Sequence, residues 1–281
     1  MNPAVPREVG AEDAKRLVAV SESVGWAHRL EDWQGILESA RVFGHRHADG
    51  DLISSGAVFP FGAALAAIGM IIVKPEHQGR GLARAMMDRC LGCLGSPAPV
   101  FMLIATPQGR PLYEQLRFEG VDHVQKLVRA GVQSLRPAIE GEIVPLDGLA
   151  DDVLYRLDAD AFGADRRRAL ASRIRCRRGG ALLRRHGTVV GFGLSSGPGA
   201  MVPWAPVIAP DSAGAAALIL HLAEDEASVR IDVPVGQREL IAALVANGFE
   251  PGDVAPVMLL GGRRLPGRRE RLFATANRAI C

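Results

Sequence analysis

The run Gly69-Met70-Ile71-Ile72-Val73 reads as a buried strand, and a short loop leads from it into Gln78-Gly79-Arg80-Gly81-Leu82-Ala83 at the start of a helical stretch. Glycines at 79 and 81 let backbone N–H groups approach a ligand with no Cβ in the way. Free N–H groups at a helix N-terminus, together with the helix dipole, favour phosphate oxygens. The chemistry suggested is a cradle for a phosphate or pyrophosphate, although a tight strand-to-helix turn with no ligand would use the same glycines. The segment lacks the Gly-Lys-Ser/Thr of a Walker loop, and only the first two glycines of a dinucleotide GxGxxG fit. A second chemical spacing is the CxxC of Cys90 and Cys93, which could serve a redox or zinc site. No second close pair completes a zinc site. Both cysteines fall in a helical stretch, so inert core is the expectation, and no metal is expected.

The segment Gln78 to Ala83, placed after Val73-Lys74-Pro75, matches the Gln/Arg-x-x-Gly-x-Gly/Ala signature and resembles that of the GNAT superfamily of N-acetyltransferases. The resemblance implies acetyl-CoA as co-substrate. Gln78, Gly79, Arg80, Gly81, Leu82 and Ala83 would hold its pyrophosphate. Ile71, Ile72 and Val73 would offer backbone groups to the pantetheine arm, and one of their N–H groups would stabilise the oxyanion of a tetrahedral intermediate. The stretch Thr106 to Phe118 is similar to the family's Asn-x-x-Ala-x-x-x-Tyr-Glu-x-Leu-Gly-Phe segment. Tyr113 falls on the tyrosine that protonates the departing CoA thiolate in many members, a task suited to a phenol of pKa about 10. Thr106 replaces the asparagine, Gly109 the alanine and Arg117 the glycine. The first departure bears on contacts to the cofactor, the third on the turn before the next strand.

The elements that must position these residues alternate. Helices are expected near residues 11–24, 30–38, 81–94 and 107–116, and strands near 41–47, 52–60, 65–73, 100–105 and 118–129. A hairpin turn is expected at His47-Ala48-Asp49-Gly50-Asp51, because Asp-Gly tolerates positive φ. The polar, proline-containing stretch from 130 to 141 suggests a boundary, giving domains 1–133 and 142–281. The second half repeats the order in outline: helices at 150–159, 165–175, 212–223 and 237–247, and strands at 180–185, 189–195, 201–208, 229–233 and 254–260. The tail from Arg263 is expected to end in a helix. In this copy Ala213 stands where Gln78 stood, Ala216 where Gly81 stood and Leu244 where Tyr113 stood, ahead of Asn247-Gly248-Phe249. The expectation is a mixed α/β chain of two tandem GNAT folds, the first active and the second degenerate. The degenerate copy would complete the acceptor pocket or stabilise the first.

The strand before the cradle offers no carboxylate as general base. Candidates are His28, Glu31 and Asp32, then His45, His47, Asp51 and His123; Trp26, Asp32 and Trp33 are candidates for the acceptor pocket, with Trp204 a similar case in the second half. The reaction implied is direct attack of an amine, of a small molecule by preference, in a ternary complex. A non-catalytic acyl-CoA binder or sensor, an interaction module without the cofactor, and an acetyltransferase of protein amines are the rivals. Of 281 residues 48% are hydrophobic and 23% charged, with formal net charge +2, which gives no reason to expect nucleic acid as a partner. The basic run from Arg166 to Arg178 contains no aromatics and reads as a solvated helix face. The longest apolar stretch, 57–73, is broken by Pro60, Gly62 and Gly69, too short for a membrane span. Four cysteines and no signal peptide favour a reducing cytoplasm, in a monomer or homodimer.

Overall fold

A computed structural model describes residues 5–96, 99–131, 139–147, 151–196, 202–224, 226–275 and 278. The chain divides into two compact units, one running to Leu103 and the other from Ile104.

In the first unit the strand order is β1 (Arg7–Glu8), β2 (Arg41–Gly44), β3 (Ser54–Phe61), β4 (Leu65–Val73) and β5 (Val100–Ile104). Neighbours are antiparallel from β1 to β4, and β5 runs parallel to β4. Helices α1 (Ala14–Glu22), α2 (Leu30–Ser39) and α3 (Leu82–Leu91) complete it. Their apolar positions at helical spacing bury Leu17 and Val20 on α1, Trp33 and Ile36 on α2, and Leu82, Met86, Met87 and Cys90 on α3. The turn before Asp51 forms as its residues dictate: Gly50 has φ +91° and the His47 N–H donates to the Asp51 carbonyl at 2.8 Å.

The second unit carries α4 (Arg110–Gln115), α5 (Asp151–Phe162), α6 (Arg167–Arg175), α7 (Ser212–Leu222) and α8 (Arg238–Ala246). Its strand order is β12 (Glu250–Leu260), β6 (Glu119–Ala130), β11 (Ser228–Pro234), β10 (Val202–Ile208), β9 (Thr188–Ser196), β8 (Arg177–Arg185) and β7 (Glu142–Pro145), with β13 (Leu272–Ala274) on β10.

Four strands depart from the sequence expectation, and two of them, β1 and β7, form where no strand was expected. β6, read as closing the first half, lies between β11 and β12, antiparallel to both. Its Leu127 joins the core cluster of Val229, Ile231 and Phe249. Its Arg129 is 1% exposed, donates to the Ala223 carbonyl at 2.7 Å and lies 5.3 Å from the Phe249 ring centroid. Period-2 patterning fixes which face of a strand is apolar but leaves its neighbour open. β13 arises in the tail expected to end in a helix, whose last residues lie outside the described ones.

The basic run is also more than a solvated face. Arg166 is 4% exposed and makes a two-pronged pair with Asp158, each hydrogen bond 2.8 Å. Burial is tolerated because both charges are paired and hydrogen-bonded. Arg167 pairs with Asp165 and Arg178 with Glu226. The CxxC thiols are free, and burial pushes the Cys90 thiol far above its ordinary value. No helix among the described residues is long and apolar enough to cross a membrane.

Candidate active site

β4 and β5 pair only at their first residues, Leu65 with Val100, Ala66 with Phe101 and Ala67 with Met102. Beyond Ala67 no β4–β5 pair forms among the described residues, so the edge of β4 that carries Ile71, Ile72 and Val73 is released from β5. On the other side β4 stays paired with β3, through a register shift between Ser55 and Ala57. Ser55 faces Ile72 and Ala57 faces Gly69, so one extra residue sits on β4. That is a β-bulge, which locally re-aims the strand. Met70 has φ +55°, and the buried Ser55 hydroxyl donates to its carbonyl at 2.8 Å. Gly56 lies across from the bulge; a Cβ there would meet Met86 Cγ at 2.5 Å, which explains the missing side chain.

A 3₁₀ turn, Pro75–His77, carries the chain from β4 to α3. Gln78 Nε2 donates to the Val73 carbonyl at 3.0 Å, tying the loop to the strand end, and Arg80 donates to the Glu76 carbonyl at 3.0 Å. Gly79 and Gly81 take φ +74° and +77°, and a Cβ at Gly79 would meet nothing within 4 Å. Glycine is needed here for the backbone and not for local packing. Gly81 is the N-cap of α3, and no side chain caps that end. The N–H groups of the first turn have no partner inside the helix, and the dipole adds its positive end.

In the second unit, α4 positions Tyr113, which is 8% exposed and sits 6.1 Å from Phe118 between ring centroids. A Cβ at Gly109 would lie 3.1 Å from the Tyr113 hydroxyl, so the alanine-to-glycine departure admits the tyrosine ring. The Thr106 hydroxyl accepts from the Gly109 N–H at 3.1 Å, capping the turn that opens α4. Arg117 keeps the turn expected of a glycine by adopting φ +69°. The Phe118 N–H reaches the Tyr113 carbonyl at 3.0 Å, as the Phe249 N–H reaches the Leu244 carbonyl at 3.0 Å past Gly248. The two helix ends are therefore the same Schellman closure. A left-handed arginine costs about 1 kcal/mol, so Arg117→Gly is expected to raise stability by about 0.5–1 kcal/mol, allowing for the entropy of glycine in the unfolded chain. Urea unfolding of the variant measures this, and a loss of stability would contradict it.

The second copy's counterpart of the cradle is closed. β10 and β11 pair at Val202–Val229, Pro203–Arg230 and Trp204–Ile231, like β4 and β5. Where they part, β13 enters: Val207 pairs with Ala274 and Ile208 with Leu272. The Thr275 N–H donates to the Asp232 carbonyl of β11, and the Ala209 N–H to Arg271, at 3.0 and 3.1 Å. The Gln237 amide donates to the carbonyls of Glu270 and Leu272, each at 3.1 Å. The N-terminus of α7 is capped by Asp211, which accepts from the Gly214 N–H at 2.8 Å and from Arg185 at 2.6 Å. Burial alone would push the Asp211 carboxyl up, but the Gly214 N–H and the Arg185 guanidinium outweigh it and hold it below the usual range. A carboxylate thus occupies the end of α7 that a phosphate would need.

The acceptor candidates lie in the first unit. Trp33 is fully buried and its indole N–H donates to Ser21 at 2.9 Å. His28 lies between Trp26 and Trp33, tilted against both, with ring centroids 5.9 and 6.2 Å apart. Asp32 accepts from the Arg29 N–H at 2.9 Å, capping α2, and Glu31 pairs with Arg29. His45 is buried with its Nδ1 2.7 Å from the Ser54 hydroxyl. His47 pairs with Asp49, its ring near that of His77; Asp51 is exposed at the same turn. In the second unit His123 is exposed on β6. The side chain of Trp204 lies outside the described residues. Sequence reading missed Ser55, Asp211 and Gln237 as residues that shape the two copies; each acts on backbone that is distant in sequence or carries no motif.

Two family models, each described as an acetyltransferase (GNAT) domain, match residues 9–120 and 154–274. An uncharacterized N-acetyltransferase of Bacillus subtilis (strain 168), YitH, is 29% identical over 272 residues, covering 96% of this chain and 95% of that protein. A crystal structure of a candidate acetyltransferase from Pyrococcus horikoshii superposes with TM-score 0.79 at 20% identity, over 99% of this chain and 95% of that one. A tandem GNAT protein from the clavulanic acid biosynthesis pathway gives TM-score 0.65 at 15% identity, over 91% and 97%. The chain therefore belongs to the GNAT superfamily of N-acetyltransferases, as two such domains in tandem.

Proposed function

We propose that the chain transfers an acetyl group from acetyl-CoA to the amine of a small molecule, using one cofactor site, in its first copy. The observation that carries this reading is the N-terminus of α3, which has a glycine as its cap and is entered through two exposed, left-handed glycines. It follows a strand edge that β5 has left. The pyrophosphate would accept hydrogen bonds from the N–H groups of Gly79 to Ala83, with Gln78 and Arg80 fixing the loop. The pantetheine arm would run along Ile71 to Val73.

The amine attacks the thioester carbonyl; the C–N bond forms, the C–S bond breaks, and the thiolate takes a proton from Tyr113. A base removes the ammonium proton, with His28 and Glu31, or a bound water, as the acceptors; Asp32 is already held by the Arg29 N–H. Trp26, Asp32 and Trp33 mark the acceptor region, Trp33 as its buried backing. The second copy, with Asp211 on α7 and β13 beside β10, supports a count of one acetyl-CoA per chain. Thr106 holds the turn that leads into α4, and its role toward the cofactor is through the placement of that helix.

Calorimetric titration with acetyl-CoA is expected to give one site, and Tyr113→Phe to lower kcat about 10- to 100-fold with little change in acetyl-CoA affinity. Two sites per chain would overturn the closed second copy. Binding without turnover of any amine, unchanged in Tyr113→Phe, would favour an acyl-CoA-binding or sensing protein.

A further inference from the structure

We propose that Ser55 is a positioning residue: its hydroxyl holds the bulge of β4 so that the Ile71 N–H is aimed away from β3, toward the edge that β5 has released. The inference rests on the acyl-transfer reading for its kinetic consequence and on geometry alone for the aim of the N–H group.

The argument starts from the peptide plane. The Met70 carbonyl and the Ile71 N–H belong to one trans peptide unit, so they point in opposite directions. The Ser55 hydroxyl, on β3, donates to that carbonyl at 2.8 Å. The carbonyl therefore faces β3 and the Ile71 N–H faces the other edge of β4. That edge is unpaired with β5 beyond Ala67 and Met102 among the described residues. The extra residue on β4 between its pairings with Ser55 and Ala57 produces the offset. Met70 is held at φ +55° although it is a long side chain with 1% exposure. A non-glycine residue persists in that region only when its surroundings over-determine it. The surroundings here are the Ser55 hydrogen bond, the Gly56 gap opposite and the close Met86 side chain. Without the hydroxyl, the buried Met70 carbonyl loses this hydrogen bond, and rotation of the same peptide to recover one turns the Ile71 N–H with it.

A donor placed where negative charge develops contributes only in the transition state, and losing one costs about 10²- to 10³-fold in kcat. Misaiming rather than deleting it is expected to cost less. Ser55→Ala is expected to lower kcat about 10- to 100-fold while the dissociation constant for CoA stays within threefold, because the cradle is untouched. Ser55→Cys, with a weaker donor of similar shape, is expected to fall between the two. Hydrogen–deuterium exchange at the Met70–Ile72 amides is expected to change in Ser55→Ala against an unchanged cradle helix. A purely structural role would lower the melting temperature and leave kcat of the folded fraction within twofold of wild type; that result overturns the proposal. Unchanged exchange at Ile71 overturns it as well. If wild-type protein turns over no acyl-CoA, the functional reading fails, and the exchange experiment still decides the aim of the peptide.

Discussion

Gly81→Glu is expected to weaken acetyl-CoA binding by at least 100-fold, a change of about 2.8 kcal/mol. Three effects act together. The residue sits at φ +77°, so any side chain strains the entry to α3. The carboxylate would sit at the helix N-terminus and accept hydrogen bonds from the N–H groups that the pyrophosphate needs. It would also repel the phosphates directly. Gly81 is exposed, so a general collapse of packing is not expected. Gly62→Glu serves as the control: Gly62 has φ +72° and is likewise exposed, in the β3–β4 turn at the far end of β4 from the cradle. It carries the same backbone strain without touching the loop. Calorimetry on both variants, with circular dichroism to confirm folding, separates strain from site. Equal loss of binding in the two, or binding by Gly81→Glu within threefold of wild type, would remove the cradle from this loop.

Phe273→Ala is expected to destabilise the protein by about 3–4 kcal/mol, a large fraction of the stability of an ordinary domain. Phe273 is 2% exposed and belongs to the core cluster with Leu218, Val233, Leu240 and Leu244. It lies on β13, whose neighbours Leu272 and Ala274 pair with β10. The side chain therefore anchors the strand that fills the opening between β10 and β11. Urea unfolding followed by tryptophan fluorescence and circular dichroism measures the effect. A cost below about 1 kcal/mol would mean that β13 is a loose cover and not part of the core. The variant is not expected to gain a second acetyl-CoA site, because Asp211 still caps α7. Loosening the strand and removing the carboxylate are separate steps.

The closed second copy and the open first copy show how the two sites differ in physical terms. Both begin with a strand pair that parts after three residue pairs. In the first, a left-handed glycine leads into a helix whose cap residue has no side chain to take its N–H groups. In the second, an extended aspartate takes one of them and the chain's own tail takes the strand edge. Anion binding at a helix end needs free donors and no resident negative charge. The first copy meets both conditions and the second meets neither.

The sequence by itself determined the alternation of strands and helices, the strand-to-helix glycine loop and the matched helix ends at Tyr113 and Leu244. These depend on local rules: apolar period, glycine at positive φ, and closure of a helix by the next few residues. The substitution of Arg117 for glycine was visible too, but its outcome was not, since the strain of an αL arginine is set against closure bonds that only coordinates reveal. The tertiary structure decided the rest. It placed β6 between β11 and β12, raised β13 from an unpromising tail, buried Arg166 against Asp158, and joined Ser55 to the Met70 carbonyl. Backbone N–H and C=O groups are the same in every residue. A strand's pattern therefore states which face is buried while leaving its partner, and the side chain that meets its carbonyl, to the packing of the whole chain.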